Sequence, residues 1–163
     1  MKVVKSIGNY SSKKKSIITI GTFDGIHIGH QEIIKSLVKE SISKKALSVI
    51  LTFFPHPRMV LNKDFSIKLI DTLKEKEKIF EKLGLNTLII QPFTKNFANI
   101  SSHDFTKEIL VKKLNVKKII LGYDHRFGRN RESSVDDLIE LGLTCNFEVE
   151  VINAKKINSI NIS

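Results

Sequence analysis

Ser16-Ile17-Ile18-Thr19-Ile20 runs directly into Gly21-Thr22-Phe23-Asp24-Gly25-Ile26-His27-Ile28-Gly29-His30, and the reading of this stretch decides the fold. Ser16–Gly21 is a short run rich in β-branched residues, the composition of a buried strand. Glycines at 21, 25 and 29 carry the chain into Gly29–Ser41, where Ile33, Ile34, Leu37 and Val38 recur at the i, i+1, i+4, i+5 spacing of an amphipathic helix. A strand, a glycine-rich turn and a helix in succession open an α/β unit. The first amides of such a helix have no partner within it and attract anions.

The pattern repeats outward. Ala46–Phe53, Asn86–Gln91, Val116–Leu121 and Asn146–Ile152 read as further strands. Thr72–Leu83 reads as a charged surface helix stopped by Gly84, and Ser102–Leu114 as a helix with Phe105, Ile109 and Leu110 as its apolar stripe. Ser133–Leu141 reads as a helix, with Ser133 and Asp136 spaced like an acidic capping box and Gly142 closing it. Strands separated by helices of this length form a parallel sheet with right-handed crossovers. The expected architecture is α/β: a Rossmann-like open parallel five-stranded sheet with helices on both faces, in one domain spanning 1–163. Ala154–Ser163 is expected to form no complete element.

Composition agrees. Of 163 residues, 41% are hydrophobic and 27% charged, enough for one packed core. No apolar run approaches the ~20 residues of a membrane span, and the first residues carry no export signal. The single cysteine, Cys145, leaves no internal disulfide. A cytoplasmic setting without membrane partners is expected. Lys and Arg number 27 against 17 Asp and Glu, a net charge of +10. That charge points either to an anionic partner or to a lysine-rich bias, since many lysines (Lys74, Lys76, Lys78, Lys82, Lys112, Lys113) fall on expected helix surfaces. The arginines are different: Arg126, Arg129 and Arg131 cluster in one segment. No helix-turn-helix, zinc-finger or RNA-binding signature accompanies the charge, so no nucleic-acid partner is expected.

In an open parallel sheet, ligands bind beyond the carboxyl ends of the strands. The segments there are Gly21–His30, Thr52–Arg58, Gln91–Phe97 and Gly122–Arg131. They hold four of the five histidines and every proline and arginine. That edge is the expected site. The first segment has neither the Gly-Lys-Ser/Thr of a P-loop nor dinucleotide G-x-G-x-x-G spacing. It has His27 and His30 instead, an i, i+3 pair on the first helical turn and so on one side of it. Imidazoles there can donate hydrogen bonds to oxygens that gain charge in phosphoryl transfer. A metal pair or two surface histidines are the alternatives, and no Cys, Asp or Glu set completes a zinc-like motif.

Gly21–His30 resembles the nucleotide-binding signature of the HxGH nucleotidylyltransferases. With Thr52-Phe53-Phe54-Pro55-His56-Pro57 and Gly122-Tyr123-Asp124-His125-Arg126-Phe127-Gly128, the chain resembles the adenylyltransferase module of prokaryotic riboflavin kinase/FAD synthetase. The resemblance implies transfer of AMP from ATP to FMN, with Mg²⁺, giving FAD and pyrophosphate; the Mg²⁺ ligands stay unassigned. It implies that His27 and His30 are catalytic, contacting the ATP phosphates. Gly21, Thr22, Phe23, Asp24, Gly25 and Gly29 would bind ATP, Asp24 chiefly by stabilising the turn. His56, Pro57, Arg58, Asp124, Arg126, Phe127 and Gly128 would bind FMN, with Phe127 stacking on the isoalloxazine. His125 stands where relatives often carry an aromatic residue. The family continues with a Ser-Ser-Thr-x-x-Arg segment and a riboflavin kinase β-barrel. The chain is therefore expected to be a module truncated before both, with no kinase activity of its own. A non-catalytic FMN- and ATP-binding fragment, or a nucleotidylyltransferase for another phosphorylated acceptor, are the competing expectations.

Overall fold

The computed structural model describes residues 1–153 and the backbone of residues 155–157 and 160–162. Its main sheet contains β1 (Lys2–Val4), β2 (Ser16–Ile20), β3 (Leu47–Phe54), β4 (Thr87–Pro92), β5 (Val116–Gly122) and β6 (Glu148–Ile152), in the order β1-β4-β3-β2-β5-β6. Every pairing is parallel. The α/β class is as expected, but the sheet has six strands rather than five. The extra strand, β1, pairs Lys2 with Thr87 through Val4 with Ile89. Three residues are too few for alternation to reveal a strand.

Helices α1 (Ile28–Ser43), α2 (Pro57–Leu61), α3 (Leu73–Lys82), α4 (Lys95–Ala98), α5 (Ser102–Asp104) and α6 (Val135–Cys145) fill the connections. A π-helix, Phe105–Lys113, continues α5. Period-2 alternation splits the strands into two cores. Ile17, Ile50, Leu88 and Ile120 face Ile34 and Leu37 of α1 and Phe80 of α3. Their neighbours Ile18, Val49, Ile89 and Ile119 belong to a second core with Phe105, Leu110 and Leu138. With both faces covered, the strands read as continuous apolar runs.

Four features differ from expectation. The capping box of α6 is Ser134 with Asp137, one residue later than Ser133 and Asp136. That helix also passes Gly142 and ends at Asn146, which is left-handed. Gly142 serves packing instead: a Cβ there would stand 2.7 Å from the Phe147 carbonyl oxygen. The 102–114 helix is largely π-wound, so its buried residues Phe105 and Leu110 lie five apart, and Thr106 is buried where Ile109 was expected. Beyond β6, β7 (Lys155–Ile157) and β8 (Ile160–Ile162) pair antiparallel, so the end of the chain does form an element. Ser163, where the Ser-Ser-Thr segment was expected to begin, lies outside the described residues.

Strand order reverses at β2, which has β3 on one side and β5 on the other. The crevice beyond its carboxyl end is the switch point at which this class of sheet binds ligands. Gly21 opens there.

Candidate active site

Phe23 is the hinge of the turn after β2. Its φ of +48° lies in the left-handed region, which a bulky residue adopts only when its surroundings hold it there. Its ring is buried, edge-on to Phe80 at 5.7 Å and tilted against His30 at 5.2 Å. Gly25 follows at φ +60°, where a Cβ would stand 2.7 Å from Ile70 Cδ1.

His27 is the N-cap of α1. Its Nδ1 accepts from the Gly29 amide at 3.1 Å and the His30 amide at 3.4 Å. Two of the amides expected to be open at the helix mouth are therefore engaged by His27 itself. Because Nδ1 accepts, the proton of neutral His27 sits on Nε2. The two rings stack with centroids 3.9 Å apart and planes 21° from parallel, as the i, i+3 spacing requires. His30 Nδ1 lies 3.4 Å from the Gly25 carbonyl oxygen. Burial, then the neighbouring His27, pushes the His30 pKa below its ordinary value, so its ring is neutral at pH 7. Gly29 lines the cavity, and a residue without a side chain there lets a ligand approach the helix start closely.

Behind the turn is a set of tethers. Asp24 Oδ1 accepts from the Ile70 amide at 2.9 Å and the Asp71 amide at 3.4 Å. Asp71 Oδ2 in return accepts from the Ile26 amide at 3.0 Å. Asp24 thus stabilises the turn, as expected. Lys76 departs from expectation: it is 5% exposed rather than on a helix surface. Its Nζ donates to the Thr22 carbonyl at 2.9 Å. Lys76 and Phe80 are the buried i, i+4 pair of α3, a spacing visible in sequence but masked by the lysines at 74 and 78.

The loops after the other strands complete a cavity of about 1040 Å³. After β3, Pro57 is the first residue of α2 and His56 its N-cap, with His56 Nδ1 accepting from the Arg58 amide at 3.2 Å. Burial lowers the His56 pKa, more than Asp24 raises it. Arg58, mostly exposed, reaches Asp64 at 3.6 Å. Phe53, Phe93 and Phe97, half-buried, form a triangle of rings with centroids 5.6 to 5.8 Å apart. After β5, Asp124 and Arg126 are exposed at the cavity, and Arg131 lines it. Gly128 has φ +78°, and a Cβ there would stand 3.2 Å from the Ser102 amide nitrogen. Phe127 is 8% exposed and tilted against Phe105 at 6.4 Å. Little of its ring face is left for the expected stack, whereas Phe53, Phe93 and Phe97 offer more. His125 is half-buried, with Nε2 shut from solvent and without a hydrogen-bond partner among the described residues. Burial, then the Arg131 charge, lowers its pKa to about 4.

The cavity lining therefore unites Gly21, Thr22, Phe23, His27, Gly29 and His30 with His56, Pro57, Arg58, Asp124, Arg126, Phe127 and Gly128. Asp24 and Gly25 are not in its lining; nor is Arg129. Among the described residues, no group of three or more His, Cys, Asp or Glu side chains could cage a metal, and no helix is long and apolar enough to cross a membrane.

Comparison with known proteins places the chain. Residues 9–163 match the FAD synthetase family. The chain belongs to that family. It is 36% identical to a bifunctional riboflavin kinase/FMN adenylyltransferase of Buchnera aphidicola subsp. Schizaphis graminum, covering 99% of this chain and 54% of that protein. It is 33% identical to a FAD synthetase of Listeria monocytogenes, covering 91% of this chain and 62% of that protein. A solved structure described as a macrolide-efflux protein from Streptococcus pneumoniae superposes with a TM-score of 0.86 at 25% identity, covering 99% of this chain and 54% of that chain. The chain thus spans about half the length of the curated bifunctional relatives it matches. In this chain the three motifs quoted from the sequence meet at the switch point of the sheet, together with the segment after β4.

Proposed function

We propose that this chain is an FMN adenylyltransferase module, joining the AMP of ATP to FMN and releasing pyrophosphate. The observation that carries this reading is the stacked His27–His30 pair at the switch point, opening on a cavity walled by flat aromatic side chains. Its volume, about 1040 Å³, is at the upper end for one small ligand and suits two substrates side by side.

In the reaction, an oxygen of the FMN phosphate attacks the α-phosphorus of ATP, forming the new P–O bond as the bond to pyrophosphate breaks. Positioning and charge stabilisation supply most of the catalysis. His27 Nε2–H donates to a phosphate oxygen, its ring fixed by the Nδ1 cap. The triphosphate charge draws a proton onto His30, which then supplies a second donor. Arg126 suits a phosphate of either substrate, since a guanidinium binds phosphate in a bidentate manner. The apolar wall of Phe53, Phe93 and Phe97 takes the isoalloxazine. Mg²⁺ fits as an ion carried by the triphosphate, because it keeps several waters and needs only one or two carboxylates. Asp124 and Glu32 are the carboxylates that line the cavity, and the ion would offset phosphate charge there. The chain works in the cytoplasm, where both substrates are found.

The test is incubation with FMN, Mg²⁺ and ATP, with FAD and pyrophosphate measured by chromatography. FAD formation that His27→Ala abolishes supports the reading. Quenching of FMN fluorescence without FAD formation selects a binding fragment. No quenching at high protein concentration selects another phosphorylated acceptor.

A further inference from the structure

We infer that Lys76, which sits outside the cavity, is a positioning residue for ATP, aiming the backbone of the Gly21–Gly25 turn at the triphosphate. The inference rests on the ATP-binding reading above. Lys76 Nζ reaches through the apolar layer between α3 and the sheet to the Thr22 carbonyl, 2.9 Å away. Burying an ammonium is costly, and a buried lysine is retained only where its charge is compensated. Burial pushes the Lys76 pKa below its ordinary value, and Asp24 and Asp71 lie close enough to offset part of that by favouring the charged form.

The geometry explains what that ammonium does. In a trans peptide, the carbonyl of one residue and the N–H of the next point to opposite sides. Lys76 draws the Thr22 carbonyl toward α3, so the Phe23 N–H is turned the other way. The cavity is lined by Thr22 and Phe23 but not by Lys76. Among the described residues, no protein acceptor takes the Phe23 N–H. The left-handed φ of Phe23 is the conformation that this pull maintains. Asp24 and Asp71 pin the following residues to the same support through the Ile70, Asp71 and Ile26 amides. An amide held in advance contributes to anion binding without a further ordering cost.

Lys76→Met keeps the apolar stem and removes the charge. In the variant Thr52 Oγ1 still donates to the Thr22 carbonyl, at 3.3 Å, so that oxygen keeps one partner. Steady-state kinetics of FAD formation with MgATP and FMN are compared with wild type. The expected result is a KM for ATP raised about tenfold, the scale of one charge-assisted hydrogen bond, with the KM for FMN within about twofold. An unchanged KM for ATP, a loss of kcat alone, or an equal rise in both KM values would overturn the inference. Wild-type turnover in the same assay keeps the functional reading separate. If wild type forms no FAD, calorimetric titration with MgATP decides instead, and equal affinity of wild type and Lys76→Met overturns the inference. Asp71→Ala is the second variant if Lys76→Met does not fold. It releases the Ile26 amide, and it is expected to raise the KM for ATP about threefold; no rise overturns the inference.

Discussion

The turn after β2 and the loop after β5 face each other across the same crevice, and they are built in opposite ways. The turn is held from behind by Asp24, Asp71 and Lys76 and capped by His27. The Thr22 carbonyl, the Asp24 carboxylate, the Ile26 amide and His27 Nδ1 each have a defined partner. The loop Tyr123–Glu132 is held by the isolated bridge of Phe127 to Ser133, the packing of Phe127 on Phe105, the close seat of Gly128 on Ser102 and a few backbone turn bonds. Its Asp124 and Arg126 side chains are exposed at the cavity. The contrast suits two tasks. Phosphoryl chemistry needs fixed donors where charge develops, whereas a loop that admits a second substrate works with side chains free to close on it.

The sharpest way to break this contrast is at the turn. His27→Ala removes the α1 cap and a phosphate donor together. The rate of FAD formation is expected to fall by about 10²–10³-fold, the usual loss for one such donor, read from kcat at saturating substrates. A fall under tenfold would mean that the turn is not the rigid catalytic half.

The next effect is in the loop and depends on pH. His125 has its folded pKa lowered to about 4 from 6.5, so the unfolded chain binds the proton first as pH falls. Its neutral form is fully accommodated above pH 6.5, and stability is lost as pH drops from 6.5 toward 4, by about 3 kcal/mol at most. His125→Phe should make urea-derived stability fall less steeply over that window, the remainder coming from His30 and His56. An equally steep fall in the variant would place the pH sensitivity elsewhere. Arg126→Ala should follow with a smaller effect: the KM for FMN or ATP rises about tenfold, while the melting temperature stays within about a degree because the side chain is exposed. The smallest effect lies outside both regions. Thr72→Ala removes the capping box of α3 and should cost about 1 kcal/mol in chemical denaturation. Because α3 carries Lys76, a small rise in the KM for ATP should accompany it; an unchanged KM would show that the tethers hold without the cap.

The same contrast explains what could be read from sequence. The turn was legible because its chemistry is contiguous: strand, three glycines and two histidines at fixed spacing. The α/β class and the gathering of the loops at one edge followed from the strand–helix alternation. Lys76 was not legible, because its meaning depends on a carbonyl 54 residues away, and the flanking lysines mimic a solvated face. Nor was β1, whose three residues become a strand only through pairing with β4. Phe127 reads as a flavin stack by its place in the motif, but the π-winding of the 105–113 helix brings Phe105 against it in the core. Phe53 lies at the end of β3 whereas Phe93 and Phe97 follow β4, and only the tertiary fold makes them one wall.

The stacked imidazoles can be observed directly. Ring resonances of His27 and His30, assigned by single substitution and followed by NMR during titration with MgATP, report what each ring meets. Both sets should shift with the same saturation curve, and the His30 pKa should rise from its depressed value as the triphosphate arrives. Saturable MgATP binding that leaves both rings unmoved, with the His30 pKa unchanged, would contradict the account.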